Sequence, residues 1–476
     1  MQGRSLVMLL SVLYGSAFLA GFNENLVNMA LMSIMGDFGV DSVTAQWLVT
    51  GYMIVATVVV TCMAFLYRRF KLRTLFFAAA ALSIAGSAAG LFAGSFAVLL
   101  VARLVQAVGT GIFIPLMMNT ILAVTPKNRL GSFMSIGGCM ITFGPAFAPV
   151  VCGALVTAFG WHSIFVVPVA AMAVLAVMGF FFVKNLETSE AHLDVVSVAL
   201  SAVVLTALSF GLSQLTISPL VAAAALLATV ALAAAFVVRQ LRCDHPLIDL
   251  APIKNRLFWP ALLLATVAMM STFSMSVLLP LYFEGAAGMT ALSAGLVMLV
   301  PVLANAGATL VGGRIMDRRG EWPLLPLGFA GIAVGFFALA VVSPTLSVPV
   351  VFAAALLMYA AVGFIFSPSQ TAGLRVLPPD QNPFGVALMT TFVQIAGCVG
   401  PSLYTGIMSS GQGSALARGA SSASAAADGF ALAMLVAAVI AALGFALSFA
   451  YARAARARAR AKAAERVAAP QSVLAE

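Results

Sequence analysis

From Leu6 to Tyr451 the chain is a succession of apolar runs, separated by short clusters of charged or turn-forming residues. A helix needs about 20 apolar residues to cross the hydrocarbon core of a bilayer. The runs lie at 6–31, 45–66, 75–93, 96–124, 132–158 and 163–183, then 195–215 and 220–238, then 258–283, 292–313, 324–342, 348–374, 384–408 and 430–451. They do not alternate, and they exceed the roughly 9–11 residues of a barrel strand. A helix also satisfies its own backbone hydrogen bonds, which lipid cannot do. The expected fold is therefore an all-α polytopic membrane protein with fourteen spans. Composition agrees: 62% of residues are hydrophobic and 8% charged, against about 45–50% and 25% in a soluble domain. Such a chain cannot cover its own surface in water.

The net charge of +9 invites a nucleic-acid partner, but its placement argues against one. Counting spans from a cytoplasmic N-terminus puts 22 of 24 basic residues on one side, from Arg4 through Arg68, Arg69, Lys71, Arg73, Lys127 and Arg375 to the tail of Arg453, Arg456 and Arg458. Arg418 falls outside and Arg103 within a span. This positive-inside bias predicts a multi-pass inner-membrane protein with both termini cytoplasmic. The first apolar run outlasts a signal-peptide core of about 7–15 residues and reads as an uncleaved helix. Five cysteines and three loop histidines (His162, His192, His245) show no disulfide framework or metal spacing, so no cofactor is expected beyond protons as a coupling ion.

The chain also repeats. Gly111 and Pro115 are followed by Pro126 and by a span that Gly131 opens and that carries Gly144-Pro145. Gly363 and Pro368 are followed by Pro379 and by a span that Gly385 opens and that carries Gly400-Pro401. Two parallel halves with a substrate site between them near the midplane are one of the architectures transporters use. The expected division is a six-helix bundle over 1–186, a two-helix insert over 187–256, a second six-helix bundle over 257–452 and a basic tail over 453–476. Inside its apolar runs the insert holds few polar residues (Gln214 is the main one), which fits a structural element facing lipid. The tail is expected as a short basic helix or an arm drawn to anionic headgroups.

Of fifteen acidic residues, only Glu24 falls well inside a span. An intramembrane carboxylate is costly when ionised and unpaired, so it usually faces an internal cavity and marks an ion path. At about 1.5 Å per residue from Leu6, Glu24 belongs in the outer half of the membrane. The alternative is a neutral Glu24 hydrogen-bonded to Asn23, Asn25 or Asn28. Arg103 is the one base within a span, with Gln106 a turn away on the same face. It can pair with Glu24, take part in coupling, or bind backbone carbonyls and stiffen the bundle. The fifth span carries Gly144, Pro145, Pro149 and Gly153, residues that allow close helix approach and bending.

Together these stretches resemble the major facilitator superfamily, and within it the 14-span drug:proton antiporter branch. Asn23-Glu24-Asn25-Leu26-Val27-Asn28-Met29-Ala30-Leu31 resembles the first-helix motif D-x-T-I-V-N-V-A-L, and Gln46 to Tyr52 resembles the start of the second helix. Arg103, Gln106 and Gly109 match R-x-x-Q-x-x-G; Gly144, Pro145, Pro149 and Gly153 match the antiporter motif of the fifth helix. The family's acid falls at Asn23, so Glu24 is turned about 100° around the helix from it. The loop motif G-x-L-x-D-R-x-G-R-R is degraded at Ala64, Leu66, Arg68, Arg69, Lys71 and Arg73, where the acid is missing. A better copy stands at Gly313, Arg314, Asp317, Arg318 and Gly320.

The resemblance implies proton coupling through Glu24 and Arg103, and conformational roles for the fifth-helix and loop motifs. It further implies a central cavity offering Asn23, Asn28, Tyr52, Gln106, Phe113, Met118, Asn119, Phe273, Asn305 and Gln394 to substrate. One dominant acid favours cationic or neutral amphipaths over anions. The expected function is proton-driven export of amphipathic small molecules such as drugs, by alternating access. The rival on the same scaffold is a dedicated exporter or flippase for one metabolite or lipid. An enzyme is not expected, since no second catalytic group accompanies Glu24. The expected partners are a small-molecule substrate and the lipid bilayer, and no accessory protein can be named.

Overall fold

The computed structural model describes residues 3–28, 30–40, 42–126, 128–185, 194–213, 218–243, 249–289 and 291–468. Met29, Lys127, His192, Gln214 and His245 lie outside them. Every regular element among the described residues is helical. The first half comprises α1 (Gly3–Asn25), α2 (Leu31–Phe38), α3 (Ser42–Arg69), α4 (Leu72–Leu91), α5 (Phe96–Val124), α6 (Leu130–Phe159) and α7 (Val166–Phe182). The insert supplies α8 (Val195–Ser213), α9 (Pro219–Arg242) and the single turn α10 (Ala251–Lys254). The second half comprises α11 (Phe258–Gly285), α12 (Ala291–Arg319), α13 (Leu324–Val342), α14 (Val348–Gly363), α15 (Phe366–Arg375), α16 (Asn382–Ala417) and α17 (Ser422–Ala468). Among the described residues, thirteen stretches are long and apolar enough to cross a bilayer, and Val195–Leu208 of α8 adds a shorter apolar one.

Two runs that read as continuous spans are broken. The first ends as a helix at Asn25, turns at Leu26–Asn28 and again at Ala30, and resumes as α2. Asn25 Nδ2 bonds back to the Gly21 carbonyl at 3.4 Å and Asn28 Nδ2 to Asn25 Oδ1 at 3.2 Å. Asparagine side chains compete in this way with the helical ladder. The run over 348–374 divides at Phe364–Ile365 into α14 and α15. There Pro368 has no N–H to offer the Phe364 carbonyl. Conversely, α17 does not stop at Tyr451 but continues through the basic tail to Ala468.

The sequence repeat becomes a packing repeat. In the first half α1 packs on α6 and α4 lies between α5 and α7; in the second α11 packs on α16 and α13 lies between α14 and α17. The duplicated Gly-Pro pairs mark equivalent close approaches. A methyl group on Gly144 would sit 2.5 Å from the Phe18 carbonyl oxygen and the Phe22 nitrogen of α1. One on Gly400 would sit 2.6 Å from Met270 Cγ and Ser274 Oγ of α11. The contact between halves repeats too: α6 lies against α12, and α16 against α3.

The insert is not a free lipid-facing appendage. Its helices pack on each other, and α8 also touches α3 and α16, one from each half. At its basic end Asp194 accepts Arg239 Nε and Nη2, both at 2.9 Å, and the amides of Val196 and Ser197. The Arg239 guanidinium beside it holds the Asp194 carboxyl well below the usual carboxylate range. α9 presents Leu220, Leu227 and Val230 outward, each at least two-thirds exposed, as a lipid-facing helix should.

Candidate functional site between the halves

Ser95 starts α5 by accepting the Val98 amide, and the helix then carries Arg103, Gln106 and Thr110 inward on one face. Arg103 is fully buried. A buried guanidinium must recover its lost hydration from fixed partners, and Arg103 draws them from three helices. Its Nη1 donates to the Asn23 carbonyl of α1 at 3.1 Å and to Gln106 Oε1, and its Nε donates to the Leu48 carbonyl of α3 at 3.4 Å. The guanidinium carbon lies 4.1 Å from the centre of the Tyr52 ring, a cation–π contact. Gln106 Nε2 donates onward to Ser87 Oγ at 2.7 Å, and Ser87 to the Ser83 carbonyl of α4. The Tyr52 hydroxyl lies 2.6 Å from Thr110 Oγ1.

The break in the first span makes this node. Where α1 ends, its carbonyls form the negative end of a helix dipole, and the Asn23 carbonyl accepts both Arg103 and the Leu26 amide. Interrupted helices of this kind line the ion and substrate sites of several transporter folds. Next in sequence, Glu24 feels the charge of Arg103 and faces the Gln394 side chain of α16, across the boundary between halves. Three polar groups here are buried without a hydrogen-bond partner among the described residues: Glu24 Oε1, Arg103 Nη2 and the whole Asn23 side-chain amide. Native interiors rarely leave such groups unpaired unless water, an ion or a ligand reaches them.

Pairing of Arg103 with Glu24 was one of the options open from the sequence, and the structure brings the two close enough for their charges to interact. Asn23, Tyr52, Gln106 and Gln394 gather with them. The remaining residues expected in a substrate cavity are dispersed. Asn28 is exposed on the turn after α1. Phe113 packs edge-on against Phe76 of α4, and Met118 is in the core. Asn119 bonds back to the Pro115 carbonyl at 3.0 Å. Phe273 lies over Gly397 between α11 and α16, and Asn305 is buried against Gly363 with its amide nitrogen unpartnered. Leu48, Ser83, Ser87 and Thr110 were missed. Ser83 and Ser87, one turn apart on an otherwise apolar helix, were a visible signal; a backbone carbonyl acceptor such as that of Leu48 has none.

The second site lies where the basic loops cluster. Asp317, near the end of α12, accepts the amide of Gly131 at 2.7 Å and that of Ser132 at 2.6 Å, in the first turn of α6. The same carboxylate takes Arg375 Nη2 of α15 at 2.5 Å. Gly313, one turn earlier, has no room for a side chain against Ser135 and Gly131 of α6. Ser135 Oγ and Ser367 Oγ meet 3.0 Å apart across the halves. Arg314 and Arg318 are exposed, and Gly320, at φ 74°, closes the helix. In the other half the same spacing from Ala64 lands on Arg68, where Gly313 leads to Asp317. Arg68 stacks over the Phe384 ring in the first turn of α16, 5.4 Å from its centre. The two pseudo-equivalent corners are thus closed differently, one by a carboxylate on a helix N-terminus and one by a cation on a ring. Of the fifth-helix motif, Gly144 and Pro145 meet α1 at Gly21. Gly153 accepts only Thr157 of its own helix among the described contacts, and the Pro149 side chain lies outside the described residues.

Two repeated helical bundles, joined face to face around a buried charged node, define a membrane transporter scaffold. The family model of the Major Facilitator Superfamily matches residues 13–401, and the chain belongs to that family. The lincomycin resistance protein LmrB of Listeria monocytogenes is 32% identical over 401 residues, 83% of this chain and 85% of that protein. A multidrug resistance protein B homolog of Mycobacterium tuberculosis is 26% identical over 396 residues, 82% of this chain and 73% of that one. Among solved structures, the human organic anion transporter MFSD10 superposes with a TM-score of 0.68 at 13% identity, covering 93% of this chain and 99% of its own, a likeness of fold.

Proposed function

We propose that this transporter exports amphipathic, cationic or neutral small molecules in exchange for protons, by alternating access of the two halves. One observation carries the reading: Glu24 sits between Arg103 of its own half and Gln394 of the other. An ionised Glu24 is held by Arg103 and accepts a hydrogen bond from the Gln394 amide. A protonated one loses the attraction to Arg103 and presents an O–H that only the Gln394 oxygen can accept. Proton uptake therefore changes what joins the halves at this level, which is the coupling an antiporter needs. The closed corners at Asp317 and Arg68 support a state sealed at the basic end, and the positive-inside bias assigns that end to the cytoplasm. Protons would then reach Glu24 from the opposite side. The resistance proteins among the relatives support export of drug-like molecules, and their names make lincomycin the first compound to try.

The test is transport in proteoliposomes under an imposed pH gradient, with lincomycin and a panel of dyes, for the wild type and Glu24→Gln. The variant is expected to lose gradient-driven accumulation and to keep downhill substrate exchange. Undiminished proton-driven transport by Glu24→Gln would remove the carboxylate from the mechanism.

A further inference from the structure

A groove of about 310 Å³ opens on the outer flank of the second half, between α12, α13 and α14, away from the node and from both closed corners. Its walls are apolar, among them Leu324, Leu327, Leu357, Ala361 and Phe364, and its one charged lining residue is Arg319. Arg319 is the last residue of α12, so it stands at the basic end, where the helix leaves the hydrocarbon. It is exposed and makes no hydrogen bond or ion pair among the described residues. From Phe364 to Leu357 the groove runs down α14 for about 10 Å, at 1.5 Å per residue. Leu327 and Leu357 are 67% and 46% exposed there, so the apolar wall opens sideways rather than into the protein.

A charge at headgroup level above an apolar channel of that depth matches one kind of molecule. We propose that the groove is a specific site for an acidic glycerophospholipid from the surrounding leaflet, with its phosphate on Arg319 and an acyl chain along Leu327 and Leu357. Basic pockets between membrane helices recognise acidic headgroups in this way. A zwitterionic lipid offers the same phosphate but adds a cation beside it, which Arg319 repels.

Native mass spectrometry of the purified protein in equal phosphatidylglycerol and phosphatidylcholine would test this. The wild type is expected to retain the acidic lipid about five-fold over the neutral one, equivalent to about 1 kcal/mol for one charge. Arg319→Gln and the groove-filling Leu357→Trp should each abolish that preference. Arg242→Gln, which removes an exposed charge at the same end but outside the groove, should leave it intact. Preference surviving Arg319→Gln would overturn the proposal, as would equal loss in Arg242→Gln, which would mean diffuse attraction to the whole basic face. Preference surviving Leu357→Trp would equally reject the groove as the binding element.

Discussion

Arg103 shows how far one residue can organise a bilayer protein. Its partners belong to α1, α3 and α5, so removing its charge strands the Asn23 and Leu48 carbonyls and the Gln106 oxygen together. Breaking a buried charged cluster by deleting one member typically costs about 3–5 kcal/mol. Arg103→Gln is expected to lower thermal stability in detergent markedly, with loss of transport. Arg103→Lys should fare only partly better, because an ammonium cannot span the same fork of acceptors. Glu24→Gln, by contrast, is nearly isosteric at a half-buried position and should leave stability within about 1 kcal/mol while uncoupling transport. A melting curve paired with a flux measurement separates the two roles. Equal destabilisation by both variants would mean that Glu24 is a structural partner of Arg103 rather than a proton carrier.

Among elements, the corner between α12 and α6 and the one between α3 and α16 make the sharpest comparison. Asp317 meets two amides at a helix N-terminus and an arginine, each a charge-assisted bond worth about 1.5–3 kcal/mol. Asp317→Asn is therefore expected to shift the population toward opening at the basic end by about ten-fold or more, readable from spin-label distances across α6 and α12. Arg68→Asp would supply the missing acid beneath the first turn of α16 and is expected to hold that end shut and slow turnover. Faster turnover would refute the equivalence of the corners. The Asp194–Arg239 clasp of the insert carries a pH signature. Because the folded carboxyl is held below its ordinary value, its stabilisation is complete above about pH 4 and is lost only as the pH falls through that depressed value. Protection from hydrogen exchange at the start of α8, measured against the unfolded-chain rate at each pH, should stay constant from pH 5 to 8 in the wild type and be lower throughout that range in Asp194→Asn. These particulars also mark how far the sequence can be read. Apolar length located the helices, and the Gly-Pro spacing located the repeat, because both are local. The break after Asn25 was hidden because Leu26, Val27 and Ala30 keep the hydropathy high, although Asn23, Asn25 and Asn28 were in plain view. The docking of α8 on α3 and α16 left no trace, since a helix packed on apolar helices and one facing lipid have the same composition.

At the scale of the molecule, the pseudo-twofold relation decides what motion is available. It exchanges α6 with α16 and α3 with α12, so the two long contacts between halves are copies of one another. A rigid rocking of one bundle on the other opens both corners together, and neither can part while its mate stays closed. Ser135 and Ser367 offer a way to hold them, since their oxygens lie 3.0 Å apart across the boundary on α6 and α15. Cysteines at both positions, in a background without the native cysteines, fall within reach of a disulfide once their side chains turn toward each other. The oxidised protein is expected to bind substrate from the side opposite the basic end and to transport none, with flux returning on reduction. Reversible arrest of that kind requires the basic end to open in every cycle. Transport that continues through the oxidised bond would instead place the substrate path within one bundle, and the node at Glu24 and Arg103 would have to work without relative movement of the halves.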